Sequence, residues 1–210
     1  MAPAGPDPWR CFVGLPLPGP HREALTRQAA RLAGALASRI TWTKPDNWHL
    51  TLRFLGDVDA AAVPALCSAL AGVRFAPFSL RLGAAGGFPP AGGRGAPRTL
   101  WVGLECGAEQ CIRLAADLDR ALEPLGFEPG DRPLRPHVTL GRVRKAPSEV
   151  KAGEDKSGKG KSGGDDWAAA LAGVDLGGLP EFVAERFTLW RSILGPGGPC
   201  YEPLAEFPAA

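Results

Sequence analysis

The segment His49-Leu50-Thr51-Leu52 reappears as His137-Val138-Thr139-Leu140, so two of the chain's three histidines are followed by threonine at +2 and leucine at +3. In an extended strand alternate side chains share a face, which sets His49, Thr51 and Arg53 on one side and Leu50, Leu52 and Phe54 on the other. The second copy divides the same way, His137 and Thr139 opposite Val138 and Leu140. A chain with this pair must anchor two strands by their apolar faces and leave two polar faces, each with an imidazole and a hydroxyl. With Thr and Leu each at roughly one position in ten to twenty, the double coincidence has a chance on the order of one in ten thousand, so we read it as a repeated site.

The surrounding pattern also comes in two halves. CFVGLPLP (11–18) reads as a strand and residues 21–38 as a helix with Leu25, Ala29, Leu32 and Leu36 on one face. ITWTK (40–44) and HLTLRFL (49–55) read as strands joined by the turn PDN, and a helix with Val63, Leu66 and Leu70 follows. The pattern restarts with FSLRLG as a strand, a Gly/Pro-rich loop at 83–97, and TLWVGLEC (99–106) as a strand. A helix striped by Cys111, Ala115, Leu118, Leu122 and Leu125, stopped at Gly126, leads to RPHVTLGRV. Residues 151–166 are Gly-rich and charged and are expected to be a flexible surface loop. DDWAAALA is expected to be a short helix capped by Asp165 or Asp166, FVAERFTLWRSIL (182–194) a long strand or hairpin arm, and GPGGPCYEPLAEF a turn and a last short strand. The class expected is α+β with antiparallel pairing, one domain over 1–210 built from two related halves.

Composition narrows the function classes. A net charge of +2 on 210 residues, with 45% apolar and 22% charged residues, argues against a strongly cationic nucleic-acid scaffold and leaves room for a local basic cleft. The N-terminal MAPAGPDPWR lacks the charged and apolar regions of a signal peptide, and no apolar run approaches a membrane span, so a cytoplasmic protein is expected. Five scattered cysteines without a C-x-x-C pair fit reduced thiols, mostly in the core.

Two imidazoles facing each other suit general acid and base roles, because histidine's ordinary pKa of ~6.5 makes either form accessible near neutrality. Thr51 and Thr139 would donate hydrogen bonds to an anion between them, and a tetrahedral phosphoryl group suits those donors. A metal site fits poorly, since each motif offers one nitrogen and no HxH, HExxH or carboxylate cluster completes a coordination sphere. No GxSxG elbow is present for a covalent nucleophile. The KGKS of Lys159–Ser162 has Asp155 where a P-loop needs glycine, so no ATP site is expected. No cofactor and no metal are expected.

HLTLRFLG and HVTLGRV, with RCFVGLPLP before them, TLWVGL between and GPCYEPLAEF at the close, resemble the 2H phosphoesterase superfamily, most closely its RNA 2′,3′-cyclic phosphodiesterases, also called 2′-5′ RNA ligases. The resemblance implies a bilobal α+β fold whose two lobes flank a central cleft, His49 and His137 as the catalytic pair, and Thr51 and Thr139 on the phosphate. It implies hydrolysis of 2′,3′-cyclic phosphate RNA ends, tRNA fragments among them, to 2′-phosphomonoesters, with ATP-independent ligation as the reverse. The working assignment is His137 as base and His49 as acid, with the reverse equally allowed by the pseudo-symmetry and decided by the orientation of the substrate. Another small cyclic phosphoester as substrate, or a non-catalytic RNA-end-binding module, remains open. A monomer is expected.

Among the remaining side chains, Arg53 shares the His49 face and is a candidate for the phosphate or RNA backbone. Arg142 falls on the wrong face by strict alternation unless Gly141 permits a bulge. Arg132 and Arg135, just before the second motif, are candidates for an RNA entrance. Trp48 and Phe54 are candidates for base stacking, with Phe54 in phase with the core leucines and read as core. His21, at the start of the first helix, is read as surface or capping.

Overall fold

The computed structural model describes residues 8–91, 96–130, 132–145, 165–196 and 198–210. β-branched and aromatic runs form the strands β1 (Trp9–Pro16), β2 (Arg39–Trp42), β3 (His49–Val58), β4 (Phe78–Phe88), β5 (Thr99–Cys106), β6 (Val138–Lys145), β7 (Phe182–Ala184), β8 (Arg186–Gly195) and β9 (Gly198–Pro208). The helices are α1 (Gly19–Ala35), α2 (Val63–Ala71), α3 (Ala108–Leu122) and α4 (Trp167–Ala172). The strands form one antiparallel sheet in the order β7-β4-β5-β6-β3-β1-β8-β9, with β2 also on β6. The expected α+β class with two antiparallel halves is present.

The halves meet at one place. β3 and β6 share a single bridge, Leu50 to Val138, after which β3 stays with β1 and β6 takes β2 as its neighbour from Gly141 on. Each repeat supplies a strand beside its own His-bearing strand, β1 on β3 and β5 on β6. The following helix packs against the other His-bearing strand, α1 on β6 and α3 on β3. Leu50, Leu52, Val138 and Leu140 are buried in the helix-side core, as period-2 alternation requires.

The sheet is also curled. β7 pairs with β4 and β8 with β1, yet only Glu185 separates them. One residue spans at most ~3.6 Å, so these far-apart strands of the order must lie side by side in space, bending the sheet toward a barrel. The expected single strand over 182–194 therefore breaks at Glu185. Ala209 N–H closes on the Glu185 carbonyl at 2.7 Å and Ala210 N–H on the Phe75 carbonyl at 3.0 Å.

Other differences have local causes. β4 runs to Phe88 where a loop was expected from residue 83, because its glycines admit a neighbour: a Cβ on Gly86 would sit 2.3 Å from Trp101 Cζ2. β9 is eleven residues rather than short, pairing along the whole of β8. α3 ends at Leu122 and tightens into a 3-10 turn, so Leu125 is exposed; Gly126, at φ 83°, stops it as expected. Asp166 caps α4 through Ala169 N–H, while Asp165 accepts from Ala37 and Ser38 N–H and ties α4 to the end of α1. His21 is buried, not at the surface: its Nε2 bonds the Pro180 carbonyl at 3.0 Å and its ring meets Phe182. The cysteines are free, with only Cys11 and Cys111 buried, Cys67 and Cys106 half-buried and Cys200 exposed. Residues 151–164 of the expected surface loop lie outside the described residues. No described helix is long and apolar enough to cross a membrane.

At Gly14 the sheet tolerates no side chain: a Cβ there would lie 2.4 Å from the Leu50 carbonyl oxygen, a backbone atom of the first motif. Gly14→Ala is therefore expected to cost about 1–3 kcal/mol, read as a lower urea midpoint. Gly19→Ala, with nothing within 4 Å of its Cβ, should leave the midpoint unchanged or slightly raised.

Candidate active site

His49 opens β3 directly after a 3-10 turn, Pro45–Asn47, and His137 immediately precedes β6. Both rings are held in the same way. His49 Nδ1 lies 2.7 Å from the Asn47 carbonyl and His137 Nδ1 2.6 Å from the Arg135 carbonyl, in each case two residues upstream. A carbonyl only accepts, so each Nδ1 carries its proton and each Nε2 is left for chemistry. His49 Nε2 lies 2.9 Å from Thr51 Oγ1; in the neutral ring it accepts from the hydroxyl.

The Leu50–Val138 bridge sets the relation between the motifs. Continuing that register one residue each way puts His49 opposite Thr139 and Thr51 opposite His137. The histidines are then in a diagonal relation on one face, a relation that in a regular sheet sets positions roughly 7–8 Å apart, a span suited to one phosphoryl group. Thr43 braces the second motif, its hydroxyl donating to the Thr139 carbonyl at 2.7 Å and its N–H to the Leu140 carbonyl at 2.9 Å.

Past each motif the strand bulges at an equivalent residue. Thr51 and Arg53 pair with adjacent β1 residues Gly14 and Val13, leaving Leu52 extra; Thr139 and Gly141 pair with adjacent β5 residues Trp101 and Leu100, leaving Leu140 extra. Each bulge reverses the alternation beyond it. Arg53 accordingly leaves the histidine face: its Nε stands 2.8 Å from Asp119 Oδ1 on α3, a charge pairing in which the N–H is not aimed at the oxygen, and its Nη2 donates to the Glu128 carbonyl. Phe54, expected in the core, is 64% exposed and lines the cleft. Arg142 is turned into the cleft, as the bulge at Gly141 was expected to allow, with Nη1 at 3.5 Å from Thr99 Oγ1. Trp48 is buried with its indole N–H on Thr26 Oγ1, out of reach of a base.

The cleft is a cavity of about 550 Å³ lined by His49, Thr51, Thr139 and Arg142 among others. His137 is outside that lining, yet its charge bears on His49. Arg132 and Arg135 are exposed and also outside it; Arg135 contributes its carbonyl to His137 and lays its guanidinium 6.0 Å from the Phe88 ring centre. Among the described residues, Arg10, Lys44, Arg142 and Arg144 line the cavity and no carboxylate does. Among the described residues no group of three or more His, Cys, Asp or Glu side chains is placed to hold a metal ion.

Several site residues carried no signal that alternation could expose. Phe12, Tyr201 and Trp190 surround the His49 ring at centroid distances of 4.7, 5.1 and 5.7 Å. Tyr201, the chain's one tyrosine, arrives from β9, and Asn47 Nδ2 pins the turn before His49 by donating to the Pro199 carbonyl at 2.7 Å. Burial in this cage pushes the His49 pKa down from 6.5 to about 4, against the opposing bond to the Asn47 carbonyl, and the His137 charge adds to the lowering. Burial also lowers His137, opposed by the Arg135 carbonyl and helped by Arg142. Both rings are neutral at pH 7 in the free protein.

The family model LigT like Phosphoesterase matches residues 15–99 and 102–201. The chain belongs to that family. It is 30% identical over 198 residues to an RNA 2′,3′-cyclic phosphodiesterase of Archaeoglobus fulgidus, covering 94% of this chain and 99% of the relative. It is 32% identical over 202 residues to the Geobacillus stearothermophilus protein of the same name, of which it spans only 56%. Its fold is similar to that of E. coli LigT solved with 3′-AMP, at a TM-score of 0.68 and 26% identity, covering 97% of this chain and 99% of that one.

A ring buried neutral makes stability depend on acid. The folded state resists protonation of His49, so the stabilisation is complete above pH 6.5 and is lost as pH falls toward 4. The thermal midpoint of His49→Gln should therefore fall less between pH 7 and 4.5 than that of the parent, and the His49 ring protons should titrate near pH 4 by NMR.

Proposed function

We propose that the chain hydrolyses 2′,3′-cyclic phosphate ends of RNA to 2′-phosphomonoesters through acid–base catalysis by His49 and His137. The observation that carries this reading is the matched pair of histidines on adjoining strands, each with Nδ1 committed to a carbonyl and Nε2 turned away from it, that of His49 toward the Thr51 hydroxyl. The names of the relatives support the substrate class.

The anionic phosphate supplies what the free site lacks. Bound between the rings, its negative charge favours protonation of one imidazole. That proton goes to His49 Nε2, which then no longer accepts from Thr51 and releases its hydroxyl to a phosphate oxygen; Thr139 donates to another, and Arg142 offsets the charge. His137 Nε2 takes a proton from water as the water oxygen bonds to phosphorus. The P–O3′ bond breaks, and His49 Nε2–H protonates O3′, leaving the phosphate on O2′. The aromatic cage supports this assignment, since burial there makes the His49 imidazolium a ready proton donor, while His137, flanked by Phe88 and Trp101, lies outside that cage. A 5′-hydroxyl in place of water yields a 2′-5′ linkage without ATP. Phe54 offers an exposed ring for a base. The setting we infer is a cytoplasmic monomer acting on RNA ends, tRNA fragments included.

The test is a short RNA ending in a 2′,3′-cyclic phosphate, incubated with excess EDTA and no ATP, with 2′- and 3′-phosphate products resolved. Conversion to the 2′-phosphate is expected, and His49→Ala or His137→Ala should each lower kcat by about 100-fold or more while substrate affinity largely persists. Unchanged turnover in either variant removes that residue from the mechanism. Because both free-protein pKa values lie below 6.5, kcat/KM should peak below pH 6.5, with the kcat optimum at higher pH once the phosphate is bound. A kcat/KM maximum above pH 7 contradicts the scheme.

A further inference from the structure

The wall that carries Arg142 continues outward to a second cation that the reaction at the phosphate does not use. Arg142 and Arg144 are two residues apart on β6 and both line the cavity, Arg144 as the extra residue of a second bulge, against β2, between Val143 and Lys145. Arg144 is fixed there, since its Nε donates to Thr41 Oγ1 at 3.0 Å, and Thr41 lies opposite Arg142 in the β2–β6 pairing. This latch uses Nε and leaves both terminal nitrogens as a fork suited to two phosphate oxygens. Among the described residues neither arginine forms an ion pair with a carboxylate, and no carboxylate lines the cavity. Lys44 adds a further positive charge to the lining, in a chain whose net charge is only +2.

We propose that Arg144 selects polynucleotide over mononucleotide substrates by holding the phosphate that joins the terminal nucleotide to the rest of the RNA strand. The proposal rests on the cyclic phosphodiesterase reading. A two-residue step along a strand is about 7 Å, the reach of one nucleotide. With the cyclic phosphate at Arg142, the next phosphate on the 5′ side falls at Arg144. The contact reads backbone charge and carries no base preference.

The experiment compares kcat/KM for a dinucleotide ending in a 2′,3′-cyclic phosphate with that for a nucleoside 2′,3′-cyclic phosphate, which lacks the internucleotide phosphate. Arg144→Ala should lower kcat/KM about ten-fold more on the dinucleotide than on the nucleoside, and Arg144→Lys should restore part of the difference. Thr41→Val, which removes only the latch, should give a smaller loss with the same substrate dependence. Equal losses on both substrates, or none on the dinucleotide, overturn the assignment. If the parent protein hydrolyses neither, the reaction scheme fails, and the contact is judged by equilibrium binding of a 3′-phosphorylated oligoribonucleotide. The slope of log affinity against log salt should then be shallower by about 0.7 in Arg144→Ala, and an unchanged slope overturns the contact.

Discussion

The site hangs on the backbone bridge between Leu50 and Val138, because those two residues are the ones that separate each histidine from its threonine. On the helix side of the bridge both side chains are buried with Leu52 and Leu140; on the other side His49, Thr51 and Thr139 line the cleft, and alternation sets His137 on the same face just outside that lining. The core therefore fixes the register of the chemistry. A one-residue slip of either strand would drive its histidine into the core and a leucine into the cleft, at the cost of several buried apolar side chains worth about 1.5–3 kcal/mol each. The crossed helices reinforce this, since α1 and α3 each pack on the strand belonging to the other repeat, so neither half can shift without disturbing both motifs.

That division is the part the amino-acid pattern makes legible. Period-2 alternation places His49, Thr51, His137 and Thr139 opposite the core correctly, and the helix stripe of Leu25, Ala29, Leu32 and Leu36 is buried as its spacing demands. Alternation fails two residues later, at the bulges. An extra residue in a strand leaves no mark in its own sequence, because it is defined against the partner, β1 for Leu52 and β5 for Leu140. Hence Arg53 and Phe54 exchange the faces that counting assigns them. The same limit hides the aromatic cage: Phe12, Trp190 and Tyr201 come from three strands and converge on His49 only because the sheet curls. Gly86 reads as a loop residue until Trp101 is seen lying across it. His21 reads as a helix-start residue until the segment before β7 covers it.

The two halves are alike up to the third residue after each histidine and then diverge in a way that gives the cleft a direction. Equivalent bulges bring the fifth residue inward, and that residue is Phe54 in one half and Arg142 in the other. The aromatic side is continued by Phe12, Tyr201 and Leu194, the cationic side by Arg144 and Lys44. A symmetric pair of histidines alone would accept a cyclic phosphate in either orientation. With largely apolar surface on one flank, Arg10 apart, and positive charge that no described carboxylate of the lining opposes on the other, a ligand that has a base at one end and a chain of phosphates at the other would be bound more favourably one way round. Under the proposed reaction, that preference would set which oxygen faces His49 and which face of phosphorus is open to water near His137. In the proposed mechanism, the asymmetry at the fifth residue is what would make one histidine of a duplicated motif the acid and the other the base.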